Sequence, residues 1–321
     1  MYNKRGEKRA RELAKTIIAR IILITNSEQF SKSPDAVLLV EGTTDEAFIN
    51  RLNIENVRCI PITGVKTAEE ALKDNSDSYR QEKQNNKKRS YAKQDVENTV
   101  KVLNDQYKNR MKSYGLVDKD FEAPFKTEHI FVTPTHDLET LLLSTDKTIF
   151  KTPEHIQESL KISLYIAYLI GSVENFLRIN GHRYKKLTSD DYEKIIAKSK
   201  INLSELTDLT DLIDLEKLVD LSIEGSDKSG IKRKIAQSGI LDIEIDGICD
   251  KDLYDIANGH DILDIMEFLC ASQIKEFVES YKKHECRYKE FAVIHMYDLN
   301  AFKSCPLYKD MKKSGLIPIA V

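Results

Sequence analysis

The sequence predicts an α/β domain with a mainly parallel sheet, followed by a largely α-helical domain. Short apolar runs of strand length alternate with helical segments between residues 36 and 133, which is the pattern of a parallel α/β unit. Beyond residue 137 the apolar spacing is almost entirely helical. We therefore expect the α/β domain in residues 35–148 and the helical domain in residues 149–321.

An amphipathic helix is predicted ahead of the α/β domain, at residues 4–25. Leu13, Ile17, Ile21 and Ile22 are predicted to lie on one helical face, with basic residues on the opposite face. The punctuation SKSPD then ends the helix, so residues 1–34 are interpreted as an N-terminal helical arm.

Four strands are predicted for the sheet, at residues 36–40, 57–62, 113–121 and 128–133. Thr43, with Glu46 three residues later, fits a capping box that begins a helix directly after the first strand. A polar, helix-prone insertion at about 66–112 separates the second strand from the third. Further helices are expected at residues 137–145, 153–180, 189–199, 204–222, 229–238, 250–258 and 261–283, with a last one near Pro306.

The composition excludes several classes of protein. With 321 residues, 41% of them hydrophobic, the chain can bury a core, and its net charge of −3 means that any nucleic-acid contact must come from a local patch. The five cysteines are scattered and no CxxC occurs, which argues against a disulfide framework and a thiolate zinc site. The N-terminus lacks the apolar core of a signal peptide, and the longest apolar run is about half a membrane span. We expect a soluble, cytoplasmic protein without a membrane segment.

Three carboxylates follow strands of the predicted sheet. Glu41 comes directly after the first strand, and Asp118 and Asp120 stand near the end of the third, where residues two apart point to the same side. Because sites in parallel sheets lie at the carboxyl ends of the strands, we expect the three side chains to converge. Two like charges about 4 Å apart repel by about 4 kcal/mol at an effective dielectric of about 20, and a divalent cation removes this repulsion. Oxygen ligands suit Mg²⁺ or Mn²⁺, so the set is interpreted as a metal site.

The stretch VEGTTDEAF, followed by a strand that ends in DKD, resembles the Toprim domain, a Rossmann-like metal-binding module of topoisomerases, primases and OLD-family nucleases. The resemblance carries the glutamate of that module to Glu41 and its DxD pair to Asp118 and Asp120. Asp45 matches an acidic position that is common in OLD-type members. We expect Asp118 and Asp120 to hold the metal, with Glu41 as either a further ligand or the general base.

The stretch TPTHDLETLLL, at residues 133–143, resembles a group of small bacterial Toprim proteins that act as anti-phage effectors, the AriB-like effectors of PARIS systems. This resemblance implies a toxic, metal-dependent endonuclease, with transfer RNA as an implicated substrate and an ABC-type ATPase as its partner. Asp137 and Glu139 in this stretch are candidates for a second metal or a water network. A helix N-terminus here would favour an acid regardless, so a capping role stays open.

Nucleic-acid contacts are predicted from basic residues. The stretch RQEKQNNKKRSYAKQ is the most basic part of the insertion, and its Lys87, Lys88 and Arg89 are candidates for contacts with a nucleic-acid backbone. Lys66, in a turn after the second strand, and His136 are further candidates for phosphate contacts. The basic stretch could equally be a solvated helix or a surface for the partner ATPase.

Two functions stay open from the sequence alone. The first is the metal-dependent endonuclease that cleaves RNA or DNA. The second is a catalytically inactive Toprim-like module that binds a partner ATPase or nucleic acid. Metal dependence separates them, since alanine at Glu41 should abolish cleavage only in the first case. The arm and the helical domain also offer surfaces for a homo-oligomer.

Overall fold

The computed structural model of the chain describes residues 4–26, 34–67, 92–121, 127, 129–146, 154–196, 213–225, 228–240, 250–269 and 289–318. Up to residue 132 they form α1 (Lys4–Asn26), β1 (Ala36–Val40), α2 (Thr43–Arg51), β2 (Val57–Pro61), α3 (Ala92–Tyr107), β3 (Lys112–Val117) and β4 (Ile130–Val132). They continue with α4 (Leu138–Thr145), α5 (Glu154–Ile179), β5 (Arg183–Tyr184), α6 (Ser189–Ile195), α7 (Leu215–Ser222), β6 (Ile223–Glu224) and α8 (Lys228–Ser238). The last described helices are α9 (Asp250–Ile256), α10 (Gly259–Leu269), α11 (Lys289–Met296), α12 (Leu299–Ser304) and α13 (Pro306–Lys313).

The chain divides into two compact units, and each unit combines distant parts of the sequence. The first comprises Met1–Asp118, Ala123–Thr133 and Phe302–Val321. The second comprises Lys119–Glu122 and Pro134–Ala301. The first unit therefore holds the strands β1 to β4, and the second holds the helices from α4 to α11.

The strands β1 to β4 form one sheet in the order β2-β1-β3-β4, and all neighbours are parallel. This confirms the predicted α/β architecture with a parallel sheet. All five residues of β1 are buried, as expected for a strand that is covered on both faces. Val40, the last residue of β1, is in register with Pro61 of β2 and Leu116 of β3. The carboxyl ends of these three strands therefore lie side by side.

The third strand is shorter than predicted. It begins at Lys112 and ends at Val117, whereas the sequence pattern extended it to residue 121. The chain turns after the strand, and Asp120 has its backbone in the left-handed region, with a φ of 49°. The alternation of side chains along a strand therefore does not apply to Asp118 and Asp120.

The helix predicted at residues 4–25 is confirmed as α1, and its apolar face belongs to the core of the first unit. Leu13 and Ile17 are fully buried, and the helix packs against α3. Lys8 and Lys15 lie on the exposed face. The apolar stripe holds the helix in place, because burying one leucine or isoleucine side chain contributes about 1.5–3 kcal/mol.

The last residues of the chain return to the first unit. Phe302 lies edge-on to Phe48 of α2, with ring centroids 4.9 Å apart. The Tyr114 hydroxyl of β3 donates a hydrogen bond to the Ser314 carbonyl oxygen at 3.1 Å. No local sequence pattern predicts these contacts, because the two partners are far apart along the chain.

The central helix of the second unit is α5. It is buried on nearly every face between Ile162 and Leu177, and α7, α9 and α10 pack around it. Its segment Ser159–Ile179 is long and apolar enough to cross a membrane by length and composition, and 67% of its apolar window is buried inside the protein. The core helix of a globular unit has the same properties, so this helix does not decide the question of membrane association.

Several helices of the second unit agree closely with the sequence pattern. α4, α5 and α8 each begin and end within one residue of the predicted helices at 137–145, 153–180 and 229–238. The short antiparallel pair of β5 and β6 is a difference, because the sequence predicts no strand there. Residues 197–199, 204–212 and 270–283 of the predicted helices lie outside the described residues.

Candidate functional site

Glu41 lies at the carboxyl edge of the sheet, directly after β1. Its Oε1 accepts a hydrogen bond from the backbone N–H of Asp118, the residue after β3, at 2.9 Å. Because β1 and β3 are neighbouring parallel strands, this bond joins two loops that leave the sheet at the same edge. A carboxylate that accepts a backbone N–H is partly compensated and has its orientation set.

Lys93 contacts the other backbone polar group of Asp118, its carbonyl oxygen. The Lys93 ammonium, in the first turn of α3, donates to the Asp118 carbonyl oxygen at 2.6 Å. We call Glu41, Lys93 and Asp118 the edge cluster. The ammonium brings a positive charge to the edge of the sheet where Glu41 lies. The sequence presents Lys93 only as one of several basic residues, because nothing local indicates that α3 begins beside the end of β3.

Asp45 caps α2 at its N-terminus. Its Oδ2 accepts the backbone N–H of Gly42, the N-cap residue, at 2.8 Å. The predicted capping pair of Thr43 and Glu46 is therefore wrong by one residue. An acid in the first turn is also favoured by the helix dipole. The cap is the role that the structure shows for Asp45, and its metal role stays a prediction.

Asp120 belongs to the second unit. Its N–H donates to the carbonyl oxygen of His136 at 2.8 Å. The ring of its neighbour Phe121 lies edge-on to the His136 imidazole, with centroids 4.8 Å apart. These contacts fix the turn after β3 against the residues that precede α4. The part of Asp120 in a metal site stays a prediction.

Asp137 is the buried N-cap of α4. Its Oδ1 accepts the Thr140 N–H, and its Oδ2 accepts the Gly259 N–H at the start of α10, both at 2.8 Å. The Nδ1 of His136 lies 3.3 Å from the same Oδ2. Burial alone would raise the pKa of Asp137, but the hydrogen bond and charge of His136 and the charge of His260 hold it below its usual value. One carboxylate thus serves two helix N-termini, and these contacts compete with the predicted metal role.

His260 forms a partly buried charge cluster with two glutamates. Its Nδ1 lies 2.9 Å from the Oε1 of Glu290 in α11. Burial alone would lower the pKa of His260, but the charges of Glu139 and Glu290 raise it to about 9. The imidazole is therefore positively charged at neutral pH and compensates the buried Glu139. The sequence does not reveal this cluster, since its members are brought together only by the packing of α4, α10 and α11.

His136 is an internal residue, with only 2% of its surface exposed. Its Nε2 has no hydrogen-bond partner among the described residues. Burial alone would lower the pKa of His136, but the hydrogen bond and charge of Asp137 and the charge of Asp120 raise it. The phosphate contact predicted for His136 would require the ring to leave this buried position.

Lys66 is exposed and follows the short 3₁₀ turn Ile62–Gly64 at the end of β2. The Thr63 N–H donates to the Glu41 carbonyl oxygen at 3.4 Å, so this turn lies at the same edge of the sheet as Glu41. The phosphate contact predicted for Lys66 stays a prediction. The other basic candidates lie outside the described residues, namely Lys87, Lys88 and Arg89.

The described residues contain no group of three or more His, Cys, Asp or Glu side chains that could hold a metal ion. Mg²⁺ does not need such a group, because it is usually bound through one or two carboxylates together with waters and substrate phosphates. Glu41 supplies one such carboxylate at the edge of the sheet, and Asp118, whose backbone N–H it accepts, is the acidic residue next to it. The chemistry of the edge cluster therefore fits a hard divalent ion.

The chain was compared with known proteins. No protein-family model matches it, and no curated protein matches it in sequence. The resemblance to the Toprim domain therefore depends on the sequence motifs, and the function has to be inferred from the edge cluster and its surroundings.

Proposed function

We propose that this chain is a Mg²⁺-dependent endonuclease that hydrolyses phosphodiester bonds of nucleic acid, with Glu41 and Asp118 as its metal-binding carboxylates. The observation that carries the proposal is the 2.9 Å hydrogen bond from the Asp118 N–H to the Glu41 carboxylate. It brings two acidic residues together at the carboxyl edge of neighbouring parallel strands, where sites of α/β proteins usually lie.

Each member of the edge cluster has a distinct part in this proposal. A bound Mg²⁺ would supply Lewis-acid stabilisation of the phosphodiester and a more acidic water. Glu41 and Asp118 hold the ion, and Glu41 is alternatively the general base. The Lys93 ammonium is held by its 2.6 Å hydrogen bond to the Asp118 carbonyl oxygen, and its charge would offset negative charge on a phosphate bound at this edge. Mn²⁺ has the same ligand preference and would replace Mg²⁺.

Other acidic residues enter the proposal as additional ligands. Asp120 is the second acid of the DKD stretch, and Asp45 lies four residues after Glu41. Asp137 and Glu139 are the candidates for a second ion, although both are buried and Asp137 is committed to two helix caps. Of these four, Asp120 has the strongest support because it shares the loop of Asp118.

The finer identity follows from the resemblance and is part of the same proposal. The parallel sheet with an acid after its first strand agrees with a Toprim domain. By that resemblance the chain is a cytoplasmic effector of anti-phage defence, its substrate is RNA, such as transfer RNA, or DNA, and an ABC-type ATPase controls it.

A second candidate function is a catalytically inactive Toprim-like module that binds a partner ATPase or nucleic acid. One observation favours it specifically: the Glu41 carboxylate already has a structural role as the acceptor of the Asp118 N–H. In that case Glu41 holds two loops together and has no part in catalysis.

Cleavage assays separate the two functions. Purified protein is incubated with supercoiled plasmid, single-stranded DNA or total transfer RNA, in the presence of Mg²⁺, Mn²⁺ or a chelator. The endonuclease predicts cleavage of at least one substrate that the chelator abolishes and that Glu41→Gln and Asp118→Asn each abolish. Cleavage that persists in either variant would contradict the assignment, and binding without any cleavage would favour the inactive module.

A further inference from the structure

The turn between α5 and β5 is a strongly basic short segment of the second unit. Four cations lie between residues 178 and 186, and no Asp or Glu occurs between Glu174 and Asp190. They are Arg178, Arg183, Lys185 and Lys186. We call Arg178–Lys186 the basic turn. All four cations are exposed, in a chain whose net charge is −3.

Backbone hydrogen bonds hold the basic turn in one conformation. The His182 N–H donates to the Leu177 carbonyl oxygen at 2.8 Å, and the Gly181 N–H donates to the Arg178 carbonyl oxygen at 3.1 Å. Gly181 has a φ of 71°, in the left-handed region that favours glycine. A glycine in this conformation commonly ends an α-helix, here α5. The following strand β5 then pairs with β6. The cations are therefore presented from a fixed backbone.

Ordinary structural roles account for only part of this charge. Arg178 forms an ion pair with Glu174 at 2.6 Å and stands in the last helical turn, where the helix dipole favours a cation. Lys185 lies 3.6 Å from Asp191, but 49% of its side chain is exposed. Arg183 forms no ion pair with any residue that the structure describes. The charge of Lys186 acts on the buried Asp261, where it opposes the rise in pKa that burial causes. Arg183 and Lys185 are therefore not fully compensated within the second unit.

An exposed apolar side chain accompanies the cations. Ile179 is 76% exposed, and among the described residues only Ile22 and Leu23 are other large hydrophobic side chains with a comparable exposure. Apolar side chains of this kind pack against the faces of unstacked bases, while neighbouring cations contact the phosphates. The combination suits a single-stranded nucleic acid, whose bases are accessible.

The basic turn also contacts the loop that carries Asp120. The Arg178 guanidinium lies over the ring of Phe121, 5.7 Å from its centroid, and Phe121 directly follows Asp120. Within the second unit, therefore, the basic turn and the acidic loop are neighbours.

We infer that the basic turn binds the sugar–phosphate backbone of a single-stranded RNA or DNA, with Ile179 against an unstacked base. The inference rests on the proposed function for the identity of this ligand as the substrate. Arg183, Lys185 and Lys186 contact phosphates, and Arg178 connects the turn to the Asp120 loop.

The test is a binding measurement without catalysis. Fluorescently labelled single-stranded RNA and DNA of one sequence are titrated with protein in a chelator, at several salt concentrations. The variant Arg183→Gln/Lys185→Gln/Lys186→Gln should bind at least tenfold more weakly than the wild type. Its plot of log affinity against log salt should be shallower by about 2, since each phosphate contact on a single strand contributes about 0.7 to the slope. The two ligands show whether the site prefers RNA or DNA.

A matched control removes the same charges elsewhere. The exposed Arg110, Lys309 and Lys313 belong to the first unit, and their triple glutamine variant should bind like the wild type. Ile179→Ser changes no charge, so it should weaken binding while leaving the salt slope unchanged. Thermal unfolding checks that each variant is folded, and the single variant Arg183→Gln, with a slope about 0.7 shallower, replaces the triple variant if that one is not.

Hydrolysis of the small phosphodiester bis(p-nitrophenyl) phosphate separates this inference from the proposed function. The basic-turn variant should hydrolyse it at the wild-type rate, because one phosphodiester does not span the turn. Equal oligonucleotide binding by the basic-turn variant and the wild type, or an equal loss in the control variant, would overturn the inference even if hydrolysis is observed. So would binding of phosphatidylserine vesicles without binding of either oligonucleotide, which would assign the turn to a membrane surface.

Discussion

Glu41 is a half-buried acid at the end of a strand whose five residues are all buried. Its carboxylate accepts the Asp118 N–H, so the same bond that would orient a metal ligand also ties two loops together. The position of Glu41 could be predicted from the sequence because it depends only on where the first strand ends. Its hydrogen-bond partner, the Asp118 N–H, could be predicted only in so far as the first and third strands were expected to be neighbours.

Two substitutions of Glu41 separate its structural role from its catalytic one. Glu41→Gln keeps an acceptor for the Asp118 N–H, so the free energy of unfolding should change by less than about 0.5 kcal/mol. The loss of charge should reduce the cleavage rate by about 10²–10⁴-fold. Glu41→Ala leaves the N–H without its acceptor and should destabilise by about 1–3 kcal/mol. Urea unfolding and single-turnover cleavage measure the two effects, and equal stability of the glutamine and alanine variants would refute the structural role.

Lys93 is predicted to act on the phosphate more than on the metal. In Lys93→Met, Mn²⁺ should bind at least as tightly as in the wild type, because the substitution removes a positive charge that would repel the ion at this edge of the sheet. Cleavage should fall by about 10²-fold, since charge on the phosphate is no longer offset. Lys93→Arg should recover part of the rate. Calorimetric titration with Mn²⁺ and cleavage kinetics test this, and a parallel loss of metal binding in the methionine variant would show that Lys93 only maintains the loop.

The raised pKa of His260 predicts that the free energy of unfolding falls at alkaline pH. Its folded pKa of about 9 lies above the value of about 6.5 expected in the unfolded chain. Its stabilising contribution is therefore complete below about pH 6.5 and is lost as the pH rises through 9. We expect a loss of about 1–3 kcal/mol in the free energy of unfolding over this window. Urea unfolding at several pH values measures it, and His260→Gln should remove this component of the pH dependence.

Helix α4 and helix α10 begin at the same carboxylate. Asp137 accepts the Thr140 N–H of α4 and the Gly259 N–H of α10, which requires the two helices to approach closely. A Cβ atom at position 259 would lie 2.7 Å from the Asp137 Oδ1. The sequence predicted α4 almost to the residue, but the second use of Asp137 depends on a partner far along the chain. Glycine at the start of α10 is therefore explained by packing.

Gly259→Ala is expected to destabilise the second unit. The added methyl group must push α4 and α10 apart, so we expect a cost of about 1–3 kcal/mol and a lower midpoint of urea unfolding. Gly6→Ala is the matched control in a helix, because its Cβ atom would have its nearest neighbour at an ordinary 3.6 Å. That control should be neutral or stabilising by up to about 1 kcal/mol. An equal effect of the two substitutions would contradict the packing role of Gly259.

The strands show where sequence patterns stop being sufficient. Val37–Val40 and Leu116–Val117 are apolar and buried, and both segments are strands as predicted. The predicted strand nevertheless ran on to residue 121, because Phe121 and its acidic neighbours alternate as a strand would. The left-handed backbone conformation of Asp120 ends that alternation, and the sequence of the stretch does not predict it.

The two units divide the chain in a way that depends on long-range contacts. Residues from Phe302 onwards join the first unit through Phe48 and Tyr114, and the loop after β3 passes from the first unit to the second between Asp118 and Lys119. The periodicity of apolar residues predicts individual helices and strands. It does not predict that a segment near residue 302 packs against strands and helices far earlier in the chain. The positions of Glu41 and Asp118 at one edge of the sheet could be predicted, because each lies at or near the end of a predicted strand. The position of Lys93 and the charge cluster of His260 could not, because both depend on how helices pack.

The most direct test of the account is a titration of the protein with Mn²⁺, followed by the electron paramagnetic resonance signal of the free ion and repeated in the presence of Mg²⁺. The edge cluster predicts that the wild type binds Mn²⁺, that Mg²⁺ displaces it, and that Glu41→Gln and Asp118→Asn each weaken binding at least tenfold while the protein stays folded. Unchanged Mn²⁺ binding in both variants, or no Mn²⁺ binding by the wild type, would contradict the central claim that these two carboxylates hold a divalent ion.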